Sequence, residues 1–144
     1  MPPIPDEIYA MILENSHGVL ATSFQDVPHA SLMAYTVQAN LEYIHMATSA
    51  RTRKWANLLA NPRMALLLDD RGESAGGPTK ALTIGGDQVN VAGQAEQDEI
   101  VGALLARHPH LEGLLSLEDI RIIRLKPRWC VFLQDPEHSV FMNF

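Results

Sequence analysis

The residue types best suited to chemistry lie in the run Thr48-Ser-Ala-Arg-Thr-Arg-Lys, where the hydroxyls of Thr48, Ser49 and Thr52 mingle with the cations of Arg51, Arg53 and Lys54. The surrounding pattern predicts a strand over residues 43–48 and a helix over 52–60, so the cations crowd a helix N-terminus. Unpaired N–H groups there already carry partial positive charge, which disfavours each exposed cation by about 0.3–1 kcal/mol. A bound anion reverses the sign, because hydrogen bonds to a charged group are worth about 1.5–3 kcal/mol. Phosphate matches the N–H groups, the hydroxyls and the heads of Arg53 and Lys54. The competing reading is a solvated, charged helix face with the hydroxyls as caps. Capping explains the hydroxyls but not the cations.

Other chemistries find little support. Neither a P-loop nor a dinucleotide glycine fingerprint is present, and Gly85-Gly86 alone reads as a turn. Six histidines are spread along the chain without a helical His-x-x-x-His pair; His108-Pro-His110 falls at a helix end, and no metal site is expected. His29 and His45 fall on neighbouring expected strands, where they could face one another. No nucleophile elbow surrounds a serine, and Cys130 stands in apolar text that raises a thiol's pKa. The sequence thus offers an oxyanion site but no assignable catalytic acid, base or nucleophile. That combination suits a cofactor carrying its own chemistry, with the protein supplying orientation and electrostatics.

The elements that must position this site follow from length and pattern. With 144 residues, 47% of them hydrophobic, the chain supports one core and a single domain over residues 1–144. A net charge of −6 and a pI near 5.4 argue against nucleic acid or an anionic membrane as partner. The single cysteine points to a reducing compartment, and cytoplasm is the expected location. The longest apolar run, residues 64–68, is too short to span a bilayer, and the first residues lack the pattern of an export signal.

Ile8, Met11 and Ile12 predict a helix over 6–16, capped by Asp6 and ended by Gly18. Strands are expected over 19–24, 29–38 and 43–48, then the cationic helix with Trp55, Leu58 and Leu59 inward, stopped by Asn61-Pro62. Residues 63–68 read as a strand buried on both sides, and 69–78 as a loop that could cover the site. A hairpin is expected from strands 79–85 and 88–96 around Gly85-Gly86-Asp87, with Gly93 marking a bulge or close approach. A helix over 98–107 and strands over 119–125, 131–133 and 140–144 complete the chain. Short strands, hairpin turns and no β-α-β rhythm indicate an antiparallel barrel or sandwich with peripheral helices. A small packed barrel holds no large ligand inside, so a phosphate at the helix mouth implies an external groove that a second subunit could wall.

Three segments resemble the pyridoxamine-phosphate-oxidase-like FMN-binding split barrel family. They are Val19-Leu-Ala-Thr-Ser with Pro28-His-Ala-Ser-Leu-Met, then the stretch from Met46 through the cationic run to Asn61-Pro-Arg, and Gln88-Val-Asn-Val-Ala-Gly-Gln-Ala-Glu. The resemblance implies a mainly β fold, the antiparallel split β-barrel, with FMN held at a homodimer interface. It makes Arg53 and Lys54 ligands of the FMN phosphate, with Thr48, Ser49 and Thr52 beside them. It sets Ser31, Leu32 and Met33 along the flavin edge and lets Gln88 reach the flavin from the second subunit. It implies an FMN-dependent oxidoreductase acting on an unknown small-molecule substrate or electron donor. Ser31, Thr36 and Ala47 stand where the oxidase itself has Arg, Lys and an aromatic, so an oxidase-related member is implied rather than the oxidase. The resemblance leaves open a non-enzymatic flavin or electron-transfer module, and a haem-handling protein using a histidine such as His138.

Overall fold

A computed structural model describes residues 4–71 and 76–144. Helix α1 (Asp6–Glu14) turns Ile8, Met11 and Ile12 inward at helical spacing, with Pro5 rather than Asp6 at its N-cap. Gly18 lies not at the helix end but within strand β1 (His17–Phe24), where a Cβ would come within 2.6 Å of the Leu68 side chain. Gln25 and Asp26, both at positive φ, turn β1 into β2 (Val27–Ala34), the two-residue connection whose twist suits a hairpin. The strand expected over 29–38 therefore starts earlier and breaks at Tyr35, ahead of the short β3 (Thr36–Val37). Tyr35 is fully buried there, its hydroxyl donating to the Ile12 carbonyl.

A 3-10 turn (Ala39–Leu41) precedes β4 (Ile44–Ser49), α2 (Arg53–Ala60) and β5 (Arg63–Asp69), in the order the sequence predicts. Two burial expectations fail. On α2 Asn57 and Leu58 are buried while Leu59 is 72% exposed, because the Asn57 amide finds the Thr22 hydroxyl at 3.1 Å and can occupy the face against β1. On β5 Met64, Leu66 and Leu68 point into the core but Leu67 reaches the outer surface, so the strand is not buried on both sides.

The hairpin expected around Gly85-Gly86 is a single strand, β6 (Ala81–Gln88), carrying a bulge at Gly85/Gly86. The glycines answer to close approach instead of a turn: a Cβ on Gly85 would lie 2.0 Å from the Trp129 ring, and one on Gly86 would lie 1.9 Å from the Lys126 carbonyl oxygen. The strand expected over 88–96 stops at Gln88, and helix α3 (Gly93–Arg107) begins before the expected residue 98. Gly93 takes φ of +80° at the helix entry, and nothing lies within 4 Å of where its Cβ would stand, so it marks neither bulge nor contact. A 3-10 turn (Pro109–Leu111) and α4 (Glu112–Leu115) lead to β7 (Ile120–Asp135), which joins the strands expected over 119–125 and 131–133, and to β8 (His138–Asn143), where the strand over 140–144 is expected. Of the loop expected over 69–78, residues 72–75 lie outside the described residues.

All pairings are antiparallel, in the order β2-β1-β5-β6-β7-β4-β3, with β8 on the free edge of β7. The sheet curls around one core containing Leu20, Met33, Met46, Leu66, Ile84 and Phe132, closed by α1 and by Leu58 of α2. A second cluster, Ala47, Ile100, Leu104, Leu115, Ile120 and Ile122, lies beneath α3 and α4 on the opposite face of β4 and β7. This is the expected antiparallel split barrel with peripheral helices. No helix among the described residues is long and apolar enough to cross a membrane.

Candidate functional site

The junction of β4 and α2 brings Thr48, Ser49, Thr52, Arg53 and Lys54 together, and each hydroxyl has an assignable use. Thr52 is the N-cap of α2: its Oγ1 accepts from the Trp55 N–H at 3.4 Å and donates to the Ser49 carbonyl at 3.1 Å. The Thr48 hydroxyl, 2.8 Å from that Oγ1, is then the donor of the pair. Ser49 donates to the Asp119 carboxylate at 2.6 Å and accepts from the Arg51 N–H. Arg51 pairs with the same carboxylate at 3.2 Å, and the Ser49 hydrogen bond chiefly holds Asp119 below the usual carboxylate range. The hydroxyl protons are therefore committed within the chain in this structure.

Arg53 and Lys54 remain. Arg53 is exposed, Lys54 is half-buried, and neither forms an ion pair among the described residues. Burial alone pushes the Lys54 amine below its ordinary pKa, the sign of a cation lacking a counter-charge. Their backbone N–H groups also find no acceptor among the described residues. Along the far side of α2 runs a groove of about 240 Å³ bounded by Trp55, Leu58, Leu59, Pro62, Gln88 and Asn90.

The expected flavin-edge residues divide between two faces of β2. Ser31 and Met33 point toward the barrel, whereas Leu32 is 71% exposed on the outside. β2 ends the sheet order, so one of its backbone edges is unpaired by any strand. Two side-chain atoms on its inner face, Ser31 Oγ and His29 Nδ1, are buried without a hydrogen-bond partner among the described residues. Such orphans are uncommon in a folded chain. Gln88 is engaged at home: its Oε1 accepts the Arg124 N–H at 3.0 Å, and its Nε2 lies 3.4 Å from the carbonyls of Val89 and Ile122.

Sequence reasoning missed a second polar centre under α3. Arg124, with a side chain only 6% exposed, donates from Nε to His45 Nε2 at 3.0 Å, pairs with Glu96 and lies 4.3 Å over the Tyr43 ring. Arg124, His45 and Glu96 border a cavity of about 180 Å³ also lined by Thr36, Glu99 and Ile100. His45 thus faces Arg124 and Tyr43, not His29. The packing of α3 over β7 buries both sides of the first half of that strand.

The family profile described as pyridoxamine 5'-phosphate oxidase matches residues 4–133. A homologue of pyridoxamine 5'-phosphate oxidase from Schizosaccharomyces pombe is 34% identical over 74 residues, covering 46% of this chain and 39% of that protein. The chain thus spans well under half the length of that curated relative. Among solved structures, a haem-binding protein from Mycobacterium smegmatis superposes with TM-score 0.82 at 15% identity, over 95% of this chain and 56% of that one. HutZ, a haem storage protein of Vibrio cholerae, gives TM-score 0.72 at 23% identity, over 88% and 91%. General Stress Protein 26 of Bacillus anthracis gives 0.72 at 16%, over 96% and 97%. At these identities the superpositions establish a shared fold.

Proposed function

The chain belongs to the pyridoxamine 5'-phosphate oxidase family, and from that premise we propose that it binds flavin mononucleotide and acts as an oxidoreductase on a small-molecule substrate or electron donor. The observation that carries the reading is the asymmetry at the start of α2. Arg51 and the hydroxyls of Thr48, Ser49 and Thr52 are matched within the chain, while Arg53 and Lys54 are not. A phosphate there would gain both cations and the free N–H groups of the first turn. Thr48, Ser49 and Thr52 hold that turn in place from behind, with oxygen lone pairs rather than protons on offer.

The remaining donor set fits the same group. Ser31 Oγ and His29 Nδ1 supply unmatched polar atoms on the inner face of β2, and residues 31–33 present an open backbone edge to a flat, hydrogen-bonding ring. When bound, flavin mononucleotide supplies hydride or single-electron transfer. The protein's part is to fix the phosphate, shield the ring and position the substrate; Gln88, its amide engaged by β7, contributes to the wall of the groove.

The cofactor would lie between two copies of this chain. One cross-strand row, Leu32, Val19, Leu67, Thr83, Val131 and Phe141, runs along the outer face of six strands, from β2 to β8. Leu32 is 71% and Phe141 60% exposed in the single chain. A continuous apolar row of this length suits a second copy of the same surface about a two-fold axis.

Titration with FMN and with riboflavin tests the phosphate site. Each charge-assisted contact is worth about 1.5–3 kcal/mol, so Arg53→Ala with Lys54→Ala should weaken FMN by about 100-fold or more. Riboflavin, lacking the phosphate, should be almost unaffected. Equal affinity of the unaltered protein for both flavins would defeat the assignment.

A second reading, haem handling, has one observation in its favour. His138, exposed on β8, has its Nδ1 2.8 Å from both oxygens of Asp135, leaving Nε2 free toward solvent. A carboxylate behind an imidazole orients it as a metal ligand, and two structural neighbours carry haem in their names. Haem titration of His138→Ala separates the readings: loss of the haem spectrum supports an axial role, and unchanged binding removes it.

A further inference from the structure

The chain brings together three imidazoles that are far apart in sequence. His17 opens β1, His108 follows the last residue of α3, and His110 lies in the 3-10 turn beyond it. One ring nitrogen from each lies within 4.8 Å of the others. The His17 and His108 rings meet nearly perpendicular at 5.3 Å, and His110 stands 6.1 and 5.8 Å from them.

The backbone holds this arrangement. Arg107, one residue before His108, donates to the carbonyls of Tyr35, Leu13 and Asn15, tying the end of α3 to the α1–β1 connection. His108 is buried, and its Nε2 lies 2.8 Å from the Tyr35 carbonyl oxygen. A carbonyl only accepts, so Nε2 carries the proton and Nδ1 presents its lone pair. His17 Nδ1 is 2.7 Å from the Ser16 hydroxyl, which leaves Nε2.

We propose that His17, His108 and His110 form a binding site for a divalent transition metal of the zinc class. Three neutral imidazoles suit zinc, copper or nickel and not the oxygen-seeking magnesium or calcium. Tetrahedral zinc with Zn–N bonds of about 2.0–2.1 Å needs nitrogens about 3.4 Å apart. The rings of His17 and His110 reach solvent and can turn to close that gap, while His108 is fixed. The tautomer lock on His108 by a backbone carbonyl is the outer-shell support that metal-bound histidines use. The site has three protein ligands, so its fourth position faces solvent and takes water. The metal would clip the start of β1 to the end of α3, independently of any flavin.

The test uses tag-free protein stripped with chelator and titrated with zinc alone by calorimetry, with cobalt absorption reporting geometry. One zinc per chain and a tetrahedral cobalt spectrum are expected. His17→Gln and His110→Gln alter exposed rings, and each should weaken zinc by at least the roughly 10- to 100-fold lost with outer-shell partners. In chelator both should melt as the unaltered protein does. His138→Gln, away from the cluster, should bind zinc unchanged. Absence of stoichiometric binding overturns the proposal, as does equal affinity in the His17 and His110 variants or equal weakening by His138→Gln.

Discussion

The buried His45 makes stability depend on pH in a direction and window that the structure fixes. Its Nε2 accepts the Nε–H of Arg124, and a guanidinium can only donate, so the ring is unprotonated on that side. Burial, then the Arg124 charge, hold its pKa down at about 4 from 6.5, against the opposing pull of Glu96. The unfolded chain therefore binds the proton more readily than the folded one. The contribution is complete above about pH 6.5 and is lost as pH falls toward about 4. A drop of about 2.5 pH units at about 1.36 kcal/mol each amounts to about 3 kcal/mol, of which about 2 kcal/mol is gone by about pH 5. Urea unfolding near pH 7.5 and pH 5, at fixed protein concentration, reads the loss. With a slope of about 1–3 kcal/mol per molar urea, the midpoint should fall by about 1 M. His45→Gln keeps an acceptor for Arg124 but takes up no proton, and should lose much less. The lowered carboxyls of Glu96, Asp119 and Asp135 titrate mostly below this window, and His17 acts alike in both proteins. Equal midpoint shifts in the two proteins, or none in either, would refute the reasoning.

Gly86→Ala sets a methyl 1.9 Å from a backbone carbonyl that cannot rotate away, so a loss of about 3 kcal/mol or more is expected by chemical denaturation. Thr52→Ala removes the N-cap of α2 and the acceptor of Thr48, costing about 1 kcal/mol; its melting temperature should drop while the antiparallel sheet signal in circular dichroism persists. Leu32→Glu with Phe141→Glu places charge at both ends of the exposed apolar row, and should shift the sedimentation coefficient from dimer to monomer. An unchanged coefficient would count against the proposed dimer.

The strand-and-helix order around the cationic run was legible because hydrophobic period and the Asn61-Pro62 stop act locally. The Gly85-Gly86 reading failed because a glycine pair looks the same whether it turns the chain or lets Trp129 and Lys126 approach. The burial of Arg124 and the meeting of His17 with His108 and His110 were hidden for another reason. They depend on where α3 lies on the sheet, a long-range choice that no sequence window contains. At the candidate site, residue types marked the start of α2, but pattern alone could not separate matched from unmatched groups. Asp119, distant in sequence, decides that Arg51 and Ser49 are taken and Arg53 and Lys54 are not.

Strand β4, which delivers the chain to the start of α2, pairs with the short β3 and with the first half of β7, Ser49 lying opposite Ile120. During synthesis the ribosome must add about 70 residues between those partners, which at roughly 5–20 residues per second takes roughly 4–14 s. Over that interval a nascent chain already carrying Arg53 and Lys54 cannot yet set the start of α2, since Asp119 has not emerged to claim Ser49 and Arg51. The groups at the start of α2 thus take their final partners only once residues far along the chain have been made.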